Sequence, residues 1–324
     1  MAKRKGAKRP GGSGRPAGSA RQMAASATIP SAQTLFRFTL VDTQTRDLLD
    51  KASLAMRSLL WKRDGASVRQ IEAARTAEEL LDLLPLANGL AEPVWLERMR
   101  RFGAQAVFLI SARLRAASNS RSSEARHLAY EKLIALLRWQ GEAGAQALLE
   151  VFDALDDYGK SLACVVLGLL GARGSADKLW AFYERAARDR RETHYVGALW
   201  GLIDLKDGRA GEVLADLLKA GQDFYELIPF LSLAGDERAV RPLMAMAALL
   251  PEDEKLTPLM ALVGIAHHTG REAFLAALGA TTPAEREAAE RIADQVLAQP
   301  ADAVAEYFSS FYRGVRPEDL TRAL

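Results

Sequence analysis

An all-α fold is what this sequence predicts, and three observations predict it. Ala (58) and Leu (48) together make up 106 of 324 residues. Val (14) and Ile (8) contribute only 22. Good helix formers therefore dominate, and the β-branched side chains that strands favour are scarce. The third observation is a recurring turn. Gly103, Gly141, Gly174, Gly208, Gly235 and Gly270 each follow one apolar helical pattern and precede another. Their intervals of 38, 33, 34, 27 and 35 average 167/5, or 33.4. A period in the thirties with two helices per unit is the pattern of an α-solenoid, here of about five to six helical hairpins.

In chain order, residues 1–30 combine Gly, Pro, Ser and Ala with basic charge and almost no large apolar side chains. Such a segment cannot bury enough surface to offset its ordering entropy, so a disordered basic arm is expected. No apolar h-region follows the basic start, which argues against a secretory leader. Residues 31–102 read as an irregular N-terminal helical region. Apolar positions from Leu48 to Leu60 recur every three or four residues, predicting a helix over 47–61. Thr76 with Glu79 reads as a capping box opening a helix over 77–86, and another is expected over 90–102.

Residues 103–282 carry the repeats. Second helices are expected at 122–139, 158–170, 193–205, 223–233 and 258–268. Gly168, Gly197, Gly201 and Gly264 fall inside them, each costing about 1 kcal/mol of helix propensity relative to Ala. Close packing between neighbouring helices is the expected compensation. The turn glycines are expected at positive φ, past the helix ends. Residues 283–324 read as capping helices, the first amphipathic over 283–299.

The sharpest unit is Gly235-Asp236-Glu237-Arg238-Ala239-Val240-Arg241-Pro242-Leu243. Asp236 is placed to cap a helix start, and Pro242 is expected to kink the helix that follows. The unit resembles the HEAT-like repeats of the phycobilisome-lyase type, whose units run Gly-Asp-x-Arg-Ala-Val-x-Pro-Leu. That resemblance covers roughly 95–280 and implies a right-handed solenoid whose second helices line the concave face. It implies a fold and no activity.

Chemistry-bearing motifs are sparse. The single Cys164 excludes an internal disulfide and sits in an apolar run, so it reads as an inert core residue in a reducing, cytoplasmic setting. HExxH, GxSxG and phosphate-loop patterns are absent, and no metal or cofactor is expected. His267 and His268 are adjacent, which points them about 100° apart on a helix, and they read as C-terminal helix residues. Glu150, Asp153, Asp156 and Asp157 read as one solvated helix face. No stretch reaches the length of an apolar membrane span.

Charge is divided along the chain. Residues 1–41 hold eight bases and no acid. Residues 98–126 hold seven arginines against Glu124 alone, and residues 127–324 hold 21 bases against 30 acids. Two readings follow. In the first, the chain is a non-catalytic scaffold binding a protein partner through its concave surface, with Tyr158, Tyr195, Trp200 and Asp204 as contacts and a basic partner favoured. In the second, Lys3, Arg4, Lys5, Lys8 and Arg9 of the arm join Arg98, Arg101, Arg113 and Arg115 in holding a nucleic-acid backbone. The arm could equally occupy the chain's own acidic surface. A lesser enzymatic alternative rests on similarity to HEAT-like DNA glycosylases. It would use Trp139, Tyr158, Trp180, Tyr195 and Trp200 as groove aromatics and Asp204 as the catalytic acid, but the acidic charge after residue 126 departs from that family's basic groove.

Overall fold

The computed structural model describes residues 54–188, 194–221 and 226–308. Among these residues are sixteen α-helices and no strand. The all-α expectation holds. No helix is long and apolar enough to cross a membrane among the described residues.

Helix α1 (Leu54–Ala73) continues twelve residues beyond Trp61, where the expected helix stops. Val68 and Ile71, three residues apart, are buried and hold this extension on the core. Residues 47–53 of the expected helix lie outside the described residues. Helix α2 (Ala77–Asp82) starts at Thr76, whose hydroxyl accepts from the Glu79 amide at 3.1 Å. The Glu79 carboxylate reaches back one residue further than a capping box requires, to the Arg75 amide at 2.6 Å. The helix ends earlier than expected because Pro85 brings no amide donor, and the chain tightens into a 3-10 turn over Leu84–Leu86. Helix α3 (Ala91–Arg100) is tied to α2 by Trp95, fully buried, whose indole donates to the Leu80 carbonyl at 2.6 Å.

Five helical pairs follow: α4 (Ala104–Ser118) with α5 (Ser123–Arg138), and α6 (Gly141–Val151) with α7 (Asp157–Leu169). Then come α8 (Ala176–Ala186) with α9 (Tyr195–Asp204), α10 (Gly208–Lys219) with α11 (Leu227–Ala234), and α12 (Val240–Leu249) with α13 (Leu256–Thr269). Each pair packs internally, and the second helices pack in succession, α5 on α7, α7 on α9, α9 on α11 and α11 on α13. These second helices start and end within a few residues of the spans expected from the sequence. α3 packs on α5 in the same way, fixed by a Lys132–Glu92 ion pair at 2.5 Å between two largely buried side chains.

The helix-interior glycines sit where those second helices meet. A Cβ on Gly168 would lie 2.5 Å from the Gly201 Cα. On Gly197 it would strike the Ser161 carbonyl, on Gly201 the Cys164 carbonyl, and on Gly264 the Ser232 carbonyl. Backbone-to-backbone approach between α7 and α9, and between α11 and α13, compensates the propensity these residues forgo.

The turn glycines follow expectation only in part. Gly103, Gly141 and Gly270 adopt positive φ (53°, 58° and 88°). In the turn after α7 the positive φ belongs to Gly171 rather than Gly174, and after α9 it belongs to Lys206 rather than Gly208. Gly235 has φ −66°, and its lack of a side chain answers a different need, since a Cβ there would lie 2.5 Å from the Leu231 carbonyl. Asp236 caps as expected, accepting from the Arg238 amide at 2.9 Å while gripping the Arg238 guanidinium. Pro242 does not kink a helix interior. α12 begins only at Val240, after a 3-10 turn over Glu237–Ala239, so Pro242 occupies the first turn, where an amide has no intrahelical acceptor.

Helices α14 (Arg271–Leu278), α15 (Pro283–Leu297) and α16 (Ala301–Tyr307) close the described chain. Thr282 and Glu285 form a reciprocal capping box at the start of α15. Thr282→Ala is expected to cost about 1 kcal/mol, read as faster amide exchange in the first turn of α15. His267 and His268 lie in the last turn of α13 as anticipated, their Nε2 atoms hydrogen-bonded to the carbonyls of Gln299 (2.7 Å) and Gly235.

Candidate functional site

The four residues expected on a concave protein-binding surface do not form one patch. Tyr158 and Tyr195 open α7 and α9, Asp204 closes α9, and the ten-residue length of α9 separates its ends by about 14 Å. Tyr158, Tyr195 and Trp200 are all core residues, 6%, 7% and 1% exposed, with Trp200 packed edge-on against Phe230 at 5.5 Å, so their assignment as surface contacts is corrected. The cause is the composition of α7 and α9. From Tyr195 to Ile203 every residue is apolar or Gly, and every one is buried.

What the helix starts bring together is a ring of polar and aromatic groups around Tyr158. Asp156 caps α7 by accepting from the Gly159 amide at 3.0 Å and binds Arg126 of α5 at 2.6 Å. The capped start sets Tyr158 against α5, where its hydroxyl donates to Glu131 at 2.8 Å and its ring lies on His127, centroids 4.2 Å apart. His194 meets the same ring edge-on at 6.1 Å, and Ser161 fixes it by donating to the His194 carbonyl at 2.7 Å. Tyr195 contacts Tyr183 edge-on at 6.2 Å. His127, Glu131 and His194 were not anticipated. The usable signal was that His127, Tyr158 and His194 recur at about the repeat period, which places them at the starts of successive second helices.

At the other end of α9, Asp204 is half-buried and its Oδ2 is enclosed without a hydrogen-bond partner. Burial pushes its carboxyl up to about 7, with Arg138 of α5 pulling in the opposite direction. Glu226, just before α11, is wholly buried with neither carboxylate oxygen hydrogen-bonded, and burial raises it too. A lone acid beside an apolar run was its sequence signal.

Lys3, Arg4, Lys5, Lys8 and Arg9 lie outside the described residues. The anticipated arginines further along are engaged by the chain itself. Arg113 pairs with Asp82 of α2, and Arg115 stands 3.8 Å from Glu150 of α6. Arg101 and Arg100 both bind Glu97, at 2.9 and 3.0 Å. Burial works to raise the Glu97 carboxyl, but hydrogen bonds from these two arginines outweigh it and hold it below its ordinary range. Arg98 donates to the Ala74 carbonyl and has no ion pair among the described residues. Arg98 and Arg101 are brought together on one cavity of about 350 Å³, walled also by Trp61, Val68, Glu72, Val94 and Glu97.

The four acids expected on one helix face are not on one helix. α6 stops at Val151, a 3-10 turn spans Phe152–Ala154, and Asp156 caps α7, because the burial of Phe152 and Leu155 turns the chain inward. Each acid meets its own base: Arg115 for Glu150, Lys178 for Asp153, Arg126 for Asp156 and Arg185 for Asp157. Among the described residues no three His, Cys, Asp or Glu side chains are arranged to hold a metal ion. Cys164 is buried, and burial pushes its thiol well above the ordinary range. Compared with known proteins, the chain matches no family model, no curated protein and no solved structure.

Proposed function

We propose that the chain is a right-handed, HEAT-like α-solenoid that serves as a non-catalytic scaffold and binds a basic segment of a protein partner across its second helices. The observation that carries this reading is the state of the charges. The arginines of α3, α4 and α5 that a phosphate backbone would need are largely occupied by Glu97, Asp82, Glu150 and Asp156. By contrast, Glu124 and Glu131 of α5 have no basic partner among the described residues, and Glu131 accepts from the hydroxyl of Tyr158. The succession of helical pairs supports the solenoid, since neighbour-on-neighbour packing leaves the second helices as an extended contact surface. Amphipathic or extended peptides are the natural occupants of such a surface.

The test is fluorescence anisotropy of the full chain with a labelled Lys/Arg-rich helical peptide and, separately, with single-stranded and duplex DNA, at about 50 and 200 mM salt. The peptide is expected to bind, and Glu124→Lys together with Glu131→Lys to weaken it about tenfold, or about 1.4 kcal/mol. Tighter binding of DNA than of peptide, or peptide binding indifferent to both substitutions, would reject the reading.

A further inference from the structure

The cavity between α1 and α3 combines groups that the scaffold reading does not use. Its floor is apolar, formed by Val68 and Val94, both buried. One wall is the Trp61 indole, which lies forward along α1 over Gly65, its ring atoms 3.3 Å from where a Gly65 Cβ would stand. A side chain at position 65 would press on that ring and shift it by a few tenths of an ångström, so the glycine lets the indole lie close to α1 while leaving it 43% exposed.

The charges on the walls divide into one pair that is satisfied and one that is not. Glu97 and Arg101 neutralise each other at 2.9 Å. Arg98 donates to the Ala74 carbonyl and has no ionic partner among the described residues. Glu72, exposed on the opposite helix, has no basic partner among the described residues either. A guanidinium that lines a cavity without a carboxylate of its own is placed to pair with an anion there. A phosphate would answer Arg98 but would leave Glu72 unpaired and face its charge. A ligand carrying one carboxylate and one ammonium answers both open charges. The indole and the valines ask for an apolar or aromatic side chain on the same molecule, and about 350 Å³ is within the range of small-ligand pockets.

We propose that this cavity binds a free aromatic α-amino acid, its carboxylate on Arg98, its ammonium on Glu72 and its ring against Trp61, Val68 and Val94. The site is independent of the partner-binding reading, since it lies on α1 and α3 and shares none of the residues around Tyr158.

The experiment is saturation-transfer NMR and titration calorimetry on the full chain with L-phenylalanine, phenylacetate and phenethylamine, three ligands sharing a ring and differing in charge. L-phenylalanine is expected to saturate at or below about 1 mM and to bind more tightly than either of the others. Glu72→Gln should erase its advantage over phenylacetate while leaving phenylacetate binding unchanged. Arg98→Gln should weaken L-phenylalanine and phenylacetate about tenfold and leave phenethylamine unchanged. A purely structural role for either residue would not exchange selectivity in this pattern. Absence of saturation by all three up to about 10 mM would overturn the proposal, as would phenylacetate matching L-phenylalanine on the unmodified chain. If Arg98→Gln fails to fold, Glu72→Gln decides the matter, because position 72 is exposed and its change leaves the core intact.

Discussion

Gly201→Ala is expected to destabilise the chain by about 3 kcal/mol, while Gly208→Ala, seven residues on, stabilises it by about 0.5 kcal/mol. The two substitutions add the same methyl group to a helix and differ only in what it meets. At Gly201 the new Cβ runs into the Cys164 carbonyl of α7 and lies 2.7 Å from a methyl of Leu179 on α8, and neither backbone nor core can yield cheaply. At Gly208, the first residue of α10, nothing stands within 4 Å, so the remaining effect is the smaller conformational freedom of the unfolded chain. Urea unfolding of both variants beside the parent reads the contrast as opposite displacements of the midpoint at constant slope. Equal displacements would mean that α7 and α9 do not approach as closely as Gly168 and Gly201 permit. Because Gly168 and Gly201 lie face to face, alanine at both should cost less than the sum of the separate changes, since the first forces apart the helices that the second would clash against.

The position of this seam was legible in the sequence, because glycine in a helix interior is unfavourable unless something approaches where a side chain would stand. The second helices were legible for a related reason. Their apolar runs are punctuated by turn residues at a steady interval, and period and punctuation are local signals. What failed was whatever depends on phase or on a partner one repeat away. α9 is apolar all round, a composition that by itself points to burial on every side, and the expectation of a concave-face contact at Trp200 followed the repeat pattern instead of it. The arginines of 98–126 looked like uncompensated charge. Asp82 lies 31 residues before Arg113 and Asp156 lies 30 after Arg126, distances that packing between neighbouring helices closes and a local reading does not connect. The break between Val151 and Asp156 contains neither Gly nor Pro, which is why four acids in two helical segments read as one face.

Asp204→Asn is expected to leave stability nearly unchanged at about pH 3 and to raise it by about 4 kcal/mol at about pH 8. In the folded chain the carboxyl is pushed from its ordinary 3.8 up to about 7, so the native state holds its proton more tightly than the unfolded chain does. Below about pH 3 both states are protonated and the residue is neutral in either. As pH rises the unfolded chain ionises first, native stability falls until about pH 7, and above that the loss is constant. The difference of about three units sets the scale, at about 1.4 kcal/mol for each. Asparagine keeps the shape and cannot ionise, so it removes the slope. Thermal melts of both chains across pH 3–8 test this directly, and parallel curves would show that Asp204 ionises as freely in the native state as in the unfolded chain. Arg138→Gln should carry the decline to higher pH and enlarge the total loss, since Arg138 favours the charged form. The same titration bears on partner binding. A basic segment reaching the end of α9 would meet a carboxyl only about half ionised at pH 7, so its affinity should rise between pH 6 and pH 8, and Asp204→Asn should abolish that rise while the contribution of Glu124 and Glu131 persists.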